Sequence, residues 1–212
     1  MAKFTQSNPF NLPTDQLEDI FYDMADTWEL VRDQNILISG GTGFIGKWLL
    51  AAILDANSRL NLNIKIYLVT RSIKLLLKKF PSLEMYACIC LIECDIKDLS
   101  QIDIPFCAYG VHGALDVDKS MSGNQILDNA YVGTKAFINK FSKKNENQFQ
   151  SMILLSSGAV YGPQFSDSGL IKEDLAFAPS CTETRSAYGE GKRVSELICA
   201  LAQEENEYLN CA

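Results

Sequence analysis

Apolar positions change period along the chain, and each change marks an element. Leu17, Ile20, Phe21, Met24, Trp28 and Val31 recur at three and four, the stripe of an amphipathic helix. Thr14 stands where an N-cap belongs, with Asp15 and Glu18 favourable near the positive helix end. From Asn35 onward short apolar runs alternate with longer helical ones. The runs Ile36–Ser39, Ile64–Thr70, Cys88–Glu93, Phe106–Val111 and Met152–Ser156 predict strands. The stretches Phe44–Ala56, Ile73–Phe80, Gln125–Ser142 and Arg185–Glu205 predict helices, the third with Ile126, Ala130, Phe137 and Phe141 on one stripe. Strands alternating with helices predict an α/β protein, a parallel sheet with helices on both faces. The polar run "SKKNENQFQ" predicts a helix end and loop. Residues 1–33 then form an N-terminal helical extension and residues 34–212 the sheet domain. The extension is expected to be an accessory helix on the same domain; packing on a partner subunit is the alternative.

The first strand and helix are joined by "GGTGFIG". Gly40, Gly43 and Gly46 follow an apolar strand and open an apolar helix, the context in which such spacing holds a dinucleotide. The first glycine permits the tight turn, the second lets backbone approach a pyrophosphate, and the third allows close helix–strand packing. The helix N-terminus offers free N–H groups and partial positive charge. At the end of the next strand an NAD enzyme usually carries an acid for the ribose. Here Thr70 and Arg71 stand in that place. A guanidinium suits a 2′-phosphate, so the expected cofactor is NADP or NAD, with NADP favoured; an exposed arginine that binds nothing is the plain alternative.

Far downstream, "MILLSSGAVYG" ends a strand in hydroxyls, and "RSAYGEGKRVSEL" places Tyr188 and Lys192 at i and i+4 on one helix face. A cation beside a phenol favours the phenolate, which makes tyrosine a usable acid/base. Val194, Leu197, Ile198 and Leu201 form a separate stripe, which predicts that the Tyr–Lys pair points away from the packing face. Gly189 and Gly191 weaken the first turn, so a close approach is expected there.

Charge and cysteine usage narrow the partners. The formal net charge is −7, which argues against nucleic acid or an anionic membrane. Seven cysteines without a CxxC and one histidine, His112, give no basis for a metal site. The cysteines in apolar segments, 88, 90, 107 and 199, are expected to be reduced packing residues. The first residues lack an apolar leader core, and no run approaches the ~20 apolar residues of a membrane span. The expected location is the cytoplasm.

"GGTGFIG", "ECDIKD", "SSGAVYG" and "AYGEGK", in this order, resemble the extended short-chain dehydrogenase/reductases, and within them the NAD-dependent epimerase/dehydratase group that acts on nucleotide sugars. The resemblance implies a Rossmann-type doubly wound sheet with bound NAD(P) and catalytic Ser157, Tyr188 and Lys192. It places Gly40, Gly43, Phe44, Ile45, Gly46, Thr70, Arg71, Asp95, Ile96, Gly113, Ala114, Tyr188 and Lys192 at the cofactor, with Asp95 and Ile96 beside the adenine. It also implies a nucleotide-sugar substrate and a possible homodimer through the Tyr–Lys helix. Two departures stand out. Gly158 and Ala159 occupy positions where dehydratases carry Asp-Glu, and Ala130 replaces a frequent asparagine. Family members continue past the Tyr–Lys helix with a strand, which should begin at "EYLNCA", a loop and a C-terminal substrate domain; the 212 residues stop at that strand, which implies a fragment or a natural truncation. The alternatives are a reductase acting on a non-sugar carbonyl and a truncated, non-catalytic cofactor-binding remnant.

Overall fold

A computed structural model describes residues 8–115, 121–141, 150–163, 169–173 and 177–212. The polar connection expected after Phe141 falls at 142–149, outside the described residues, as does the Phe141 side chain. The chain divides into two compact units, one made of residues up to Asp95 with Asp103–Gly113, the other of Ile96–Ile102 with Ala114–Ala212.

The first unit holds α1 (Thr14–Asp23), β1 (Asn35–Ser39), α2 (Phe44–Leu60), β2 (Lys65–Thr70), α3 (Ile73–Lys79), β3 (Ile89–Glu93) and β4 (Tyr109–His112). Its strands are all parallel, in the order β3-β2-β1-β4. Ser39 faces Val69 on one side and His112 on the other. Ile36, Leu37, Ile38 and Ser39 are all buried, as expected of a central parallel strand covered on both faces. Because β1 lies between β2 and β4, the strand order reverses beside it, and a ligand crevice belongs at the carboxyl end of such a strand. The glycine turn leaves β1 at that end.

Three expectations shift here. Helix α1 starts one residue earlier than read: Pro13 is its N-cap, Thr14 lies inside, and no side chain caps the end. The apolar stripe also does not run on as one helix. It breaks at Met24 and resumes as a 3-10 turn over Trp28–Val31, with Thr27 Oγ1 donating to the Met24 carbonyl at 2.8 Å. The extension nevertheless packs on α2. Leu17 is buried in the core that includes Leu50, Ala51 and Leu54, and Trp28 Nε1 donates to the Phe21 carbonyl at 2.9 Å. Arg59 of α2 ties it down: it bonds Glu18, donates to Asp55 Oδ1 at 2.8 Å, and lies 4.6 Å over the Phe21 ring. The Arg59 hydrogen bond lowers the Glu18 carboxyl from its usual range, while burial raises that of Asp55. Strand β4 begins at Tyr109 rather than Phe106, because the Asn35 side chain takes the Phe106 carbonyl at 2.7 Å ahead of the ladder.

The second unit holds α4 (Gly123–Asp128), a π turn (Asn129–Gly133), α5 (Thr134–Phe141), β5 (Gln150–Leu154), α6 (Ala187–Glu205) and β6 (Leu209–Cys211). Ser122 and Gln125 form a reciprocal capping box at the start of α4. The single helix expected over Gln125–Ser142 is therefore two helices joined by a π turn. Strands β5 and β6 pair in parallel, Gln150 with Leu209 and Met152 with Cys211. β5 ends at Leu154, so Leu155 and the serines lie beyond the ladder. Among the described residues no helix is long and apolar enough to cross a membrane.

Candidate active site

In the first unit the glycine turn meets the requirements of a phosphate cradle. Gly40 has φ +73°, the left-handed conformation that L side chains rarely adopt, and its carbonyl accepts from Gly43 N at 3.0 Å. Gly43 is the N-cap of α2, with no side chain capping the helix and no acid in its first turn. Phe44 and Ile45 follow, 78% and 56% exposed, and the first-turn N–H groups of a helix have no partner within it. A Cβ at Gly46 would fall 2.3 Å from the Gly40 carbonyl oxygen and 2.5 Å from Gly41 Cα. The helix can approach the turn this closely only with glycine there. Helix dipole, bare N–H groups and absent side chains together fit a pyrophosphate.

The other residues expected at the cofactor sit at neighbouring strand ends. Thr70 is half-buried at the end of β2, and Arg71 is exposed just beyond it. Glu93, at the end of β3, pairs across from Thr70, and its carboxylate accepts from Ile73 N at 2.6 Å. An acid therefore stands beside Thr70, supplied by the adjacent strand. Asp95 is half-buried two residues on. Gly113 follows β4, its N–H donating to the Ser39 carbonyl at 3.0 Å, and Ala114 is half-buried beside it. Ile96, counted with the second unit, is buried, and a Cβ at Gly133 would lie 3.0 Å from its Cγ2.

The three residues expected to be catalytic all lie in the second unit. Ser157 is the N-cap of a 3-10 turn over Gly158–Tyr161, its Oγ accepting from Ala159 N at 3.2 Å. Ser156 instead donates to Glu196. Tyr188 is half-buried in the first turn of α6, and among the described residues its hydroxyl has no hydrogen-bond partner. Lys192, one turn on, is buried, and its Nζ donates to the Leu155 carbonyl. Burial lowers the Lys192 pKa from the ordinary lysine value, with Glu196 opposing.

Both glycines of the Tyr–Lys helix are explained by close approach. A Cβ at Gly189 would lie 2.6 Å from the Ala159 carbonyl oxygen and 2.7 Å from Pro179 Cγ, and one at Gly191 would lie 3.0 Å from Ala130 Cβ. Gly189 thus seats the start of α6 against the serine turn, and Gly191 seats it against the π turn. We expect Gly189→Ala to lower the melting temperature by several degrees. Alanine gains about 1 kcal/mol in helix propensity, but overpacking against a fixed backbone carbonyl costs ~1–3 kcal/mol or more. Gly158→Ala, where an added Cβ meets nothing within 4 Å, is the matched control. Equal melting temperatures for the two variants would refute this account.

Burial on α6 does not follow the expected stripe: Lys192 lies on the packed side, and Val194 and Ile198 are only half-buried. Gly189, Gly191, Lys192, Ser195 and Cys199 are buried, while Leu197 and Leu201 are 59% and 48% exposed. Small residues let the helix backbone press against the π turn and leave no room for leucine on that side. Ser195 Oγ accepts from Thr134 Oγ1 at 2.9 Å and lies 3.1 Å from the Gly191 carbonyl, a buried polar link between α5 and α6.

Residues 36–211 match the model of the NAD dependent epimerase/dehydratase family. The chain belongs to this family. No curated protein matches the sequence. Among solved structures, the family fold recurs in the UDP-Glc/GlcNAc 4-epimerase of Campylobacter jejuni, with TM-score 0.64 and 24% identity over 84% of this chain and 51% of that one. The dTDP-glucose 4,6-dehydratase of Bacillus anthracis in complex with NAD gives 0.61 and 18%, over 84% and 53%. The yeast methylglyoxal/isovaleraldehyde reductase complexed with NADPH gives 0.58 and 16%, over 84% and 56%. The chain spans about half the length of each. These likenesses carry the Rossmann-type α/β fold.

Three features, two in the first unit and one in the second, go beyond what the sequence predicts. A Cβ at Gly41 would lie 2.6 Å from Leu68 Cδ1 and 2.9 Å from Leu50 Cδ1, so the second residue of "GGTG" is also constrained to glycine. Ser39 Oγ and His112 Nδ1 lie 2.7 Å apart, both buried, joining the ends of β1 and β4 on either side of the turn. The π turn, a distortion often found at functional sites, brings Ala130 against Gly191. Only His112 left a sequence signal, as the lone histidine at a strand end.

Proposed function

We propose that the protein is an NAD(P)-dependent oxidoreductase acting on a nucleotide-activated sugar. The observation that carries this reading is the seating of α6. Gly189 brings the first turn of that helix to the Ala159 carbonyl, so the helix of Tyr188 and Lys192 abuts the turn capped by Ser157. Gly40, Gly43, Phe44, Ile45 and Gly46 would hold the pyrophosphate through backbone N–H groups, and Thr70 and Arg71 would face the adenosine ribose. When bound, the nicotinamide supplies the hydride acceptor and donor. Tyr188 would take the proton from a sugar hydroxyl, its own oxygen being uncommitted to any described neighbour. Lys192 would hold positive charge on the same helix face, fixed by the Leu155 carbonyl. Ser157 would hydrogen-bond the reacting oxygen. Gly158 and Ala159 supply neither acid nor base for water elimination, which favours epimerisation or reduction over 4,6-dehydration.

The test is a screen of UDP-, dTDP-, GDP- and CDP-sugars by absorbance of the reduced cofactor, alongside cofactor binding by thermal shift. Reduction with one nucleotide class is expected. Binding without turnover on any sugar would overturn the proposal in favour of a cofactor-binding remnant. Turnover of aldehydes alone would favour the second reading, a non-sugar reductase, which the likeness to the yeast reductase supports.

Arg71 is proposed to favour NADP. A charge-assisted contact to the 2′-phosphate contributes ~1.5–3 kcal/mol, so Arg71→Asp should shift the NADP-to-NAD affinity ratio toward NAD by roughly 10- to 100-fold. An unchanged ratio in titrations with both cofactors would remove the argument from Arg71. A homodimer is also proposed. Leu127, Tyr131, Leu197 and Leu201 leave exposed apolar surface on α4, the π turn and α6 within one unit, and sedimentation velocity decides whether a second copy covers it.

A further inference from the structure

We propose that Glu196 is a positioning residue of the same site: its carboxylate holds the Ser156 hydroxyl and so fixes Ser157, one residue on, against the helix of Tyr188 and Lys192. The inference rests on the reading of Ser157 as the group that meets the reacting oxygen.

Strand β5 ends at Leu154, so the ladder does not hold the residues that follow. One face of α6 holds them instead. Gly189, Lys192, Arg193 and Glu196 stand at i, i+3, i+4 and i+7, the spacing of a single helix face. Lys192 Nζ donates to the Leu155 carbonyl, and the Glu196 carboxylate accepts from Ser156 Oγ. Arg193 Nη1 donates to the Val160 carbonyl at 3.5 Å, and Gly189 lies against the Ala159 carbonyl. Ser157 sits inside this gripped segment, and among the described residues its hydrogen bonds go to Ala159 and Val160 rather than to α6. Its orientation is therefore inherited from its neighbours, and the contact immediately before it is the one made by Glu196.

A hydroxyl donating to a carboxylate makes a charge-assisted bond, stronger than one between neutral groups. Glu190, the acid one turn and a half earlier, is turned to Arg193 at 3.7 Å. The two serines thereby take different tasks. The Ser156 proton is committed to Glu196. Ser157 Oγ accepts from Ala159 N at 3.2 Å, and among the described residues its own proton has no acceptor, which leaves it for the reacting oxygen. Glu196 touches no reacting atom in this arrangement; it acts through Ser156.

The test reads the position of Ser157 without turnover. Ala159 N–H is bonded to Ser157 Oγ and Val160 N–H to the Ser157 carbonyl, so these two amides report on it. Their exchange with deuterium is followed by NMR in wild type, Glu196→Ala, Glu196→Gln, Ser156→Ala and the double variant of Glu196→Ala with Ser156→Ala. Loss of the charge-assisted bond should speed exchange at Ala159 and Val160 by about tenfold in each alanine variant, with the β5 amide of Gln150, bonded to the Tyr208 carbonyl, at its wild-type rate. Glutamine keeps an acceptor oxygen for Ser156, so Glu196→Gln should stay close to wild type. The double variant should exchange no faster than either single one. On the substrate found by the screen, kcat should fall roughly 10- to 100-fold in Glu196→Ala with KM and cofactor affinity unchanged, and glutamine should restore it. Wild-type exchange at Ala159 in Glu196→Ala, equal acceleration at Gln150, or an unchanged kcat would each overturn the proposal. A wild-type protein that turns over neither sugar nor aldehyde sinks the proposed function, and the exchange rates then decide by themselves whether Glu196 holds Ser157. Where Glu196→Ala fails to fold, Ser156→Ala, which deletes one exposed hydroxyl, reads the same bond.

Discussion

Gly46→Ala should weaken binding of both NAD and NADP by at least 10- to 100-fold while Gly158→Ala binds as wild type. The new Cβ would sit 2.3 Å from the Gly40 carbonyl oxygen, and the nearest atoms are all backbone of the turn itself. No flexible side chain can move aside. Relief requires α2 to withdraw from the turn or Gly40 to leave its left-handed conformation. Either displaces the N–H groups of Phe44 and Ile45 that would meet the pyrophosphate. Overpacking of ~1–3 kcal/mol exceeds the ~1 kcal/mol that alanine gains inside a helix, and every 1.4 kcal/mol lost from binding is tenfold in affinity. Isothermal titration with each cofactor measures the loss, and circular dichroism checks that the helices persist. Wild-type affinity in Gly46→Ala would mean that the turn is only a connection.

The glycine turn was legible because a backbone requirement leaves a residue-type trace. Positive φ at Gly40 disfavours most side chains, and contact between helix and turn at Gly46 excludes them, so spacing alone reveals them. Gly41 escaped because its neighbours, Leu68 and Leu50, come from a later strand and from within α2. The Tyr188–Lys192 spacing was equally legible, since i and i+4 share a helix face whatever surrounds it. The packing face of α6 was not. Periodicity reports which side of a helix is apolar, whereas here burial follows the small residues Gly191 and Ser195, and the leucines stay exposed. The π turn at Asn129–Gly133 inserts one residue into an otherwise helical pattern, too small a change for apolar spacing to register. The Ser39–His112 bond spans strands far apart in sequence, and only the parallel register reveals it. Strand ends moved for a related reason: Asn35 and Ser157 spend their side chains on nearby backbone, ahead of or beyond the ladder.

Tyr188→Phe should leave cofactor binding and stability near wild type and lower turnover by about 10²–10⁴-fold, the range of one positioned acid/base. Phenylalanine keeps the ring, and the hydroxyl it removes bonds no described neighbour, so the folded chain loses little. Lys192→Met should separate from it by pH. Lys192 is buried with its ammonium on the Leu155 carbonyl, and burial depresses its pKa. Between that depressed value and the ordinary lysine value the unfolded chain binds the proton and the folded chain does not. Stability therefore rises with pH across this window, and the cost of holding the buried charge is present below it. Turnover that relies on the ammonium falls across the same window. Denaturant midpoints at stepped pH should show the rising limb in wild type and in Tyr188→Phe, and not in Lys192→Met, which carries no charge to bury. If Tyr188→Phe turns over at the wild-type rate on the substrate found by the nucleotide-sugar screen, Tyr188 is not the acid/base. If the rising limb survives in Lys192→Met, the buried charge it reports belongs to another group.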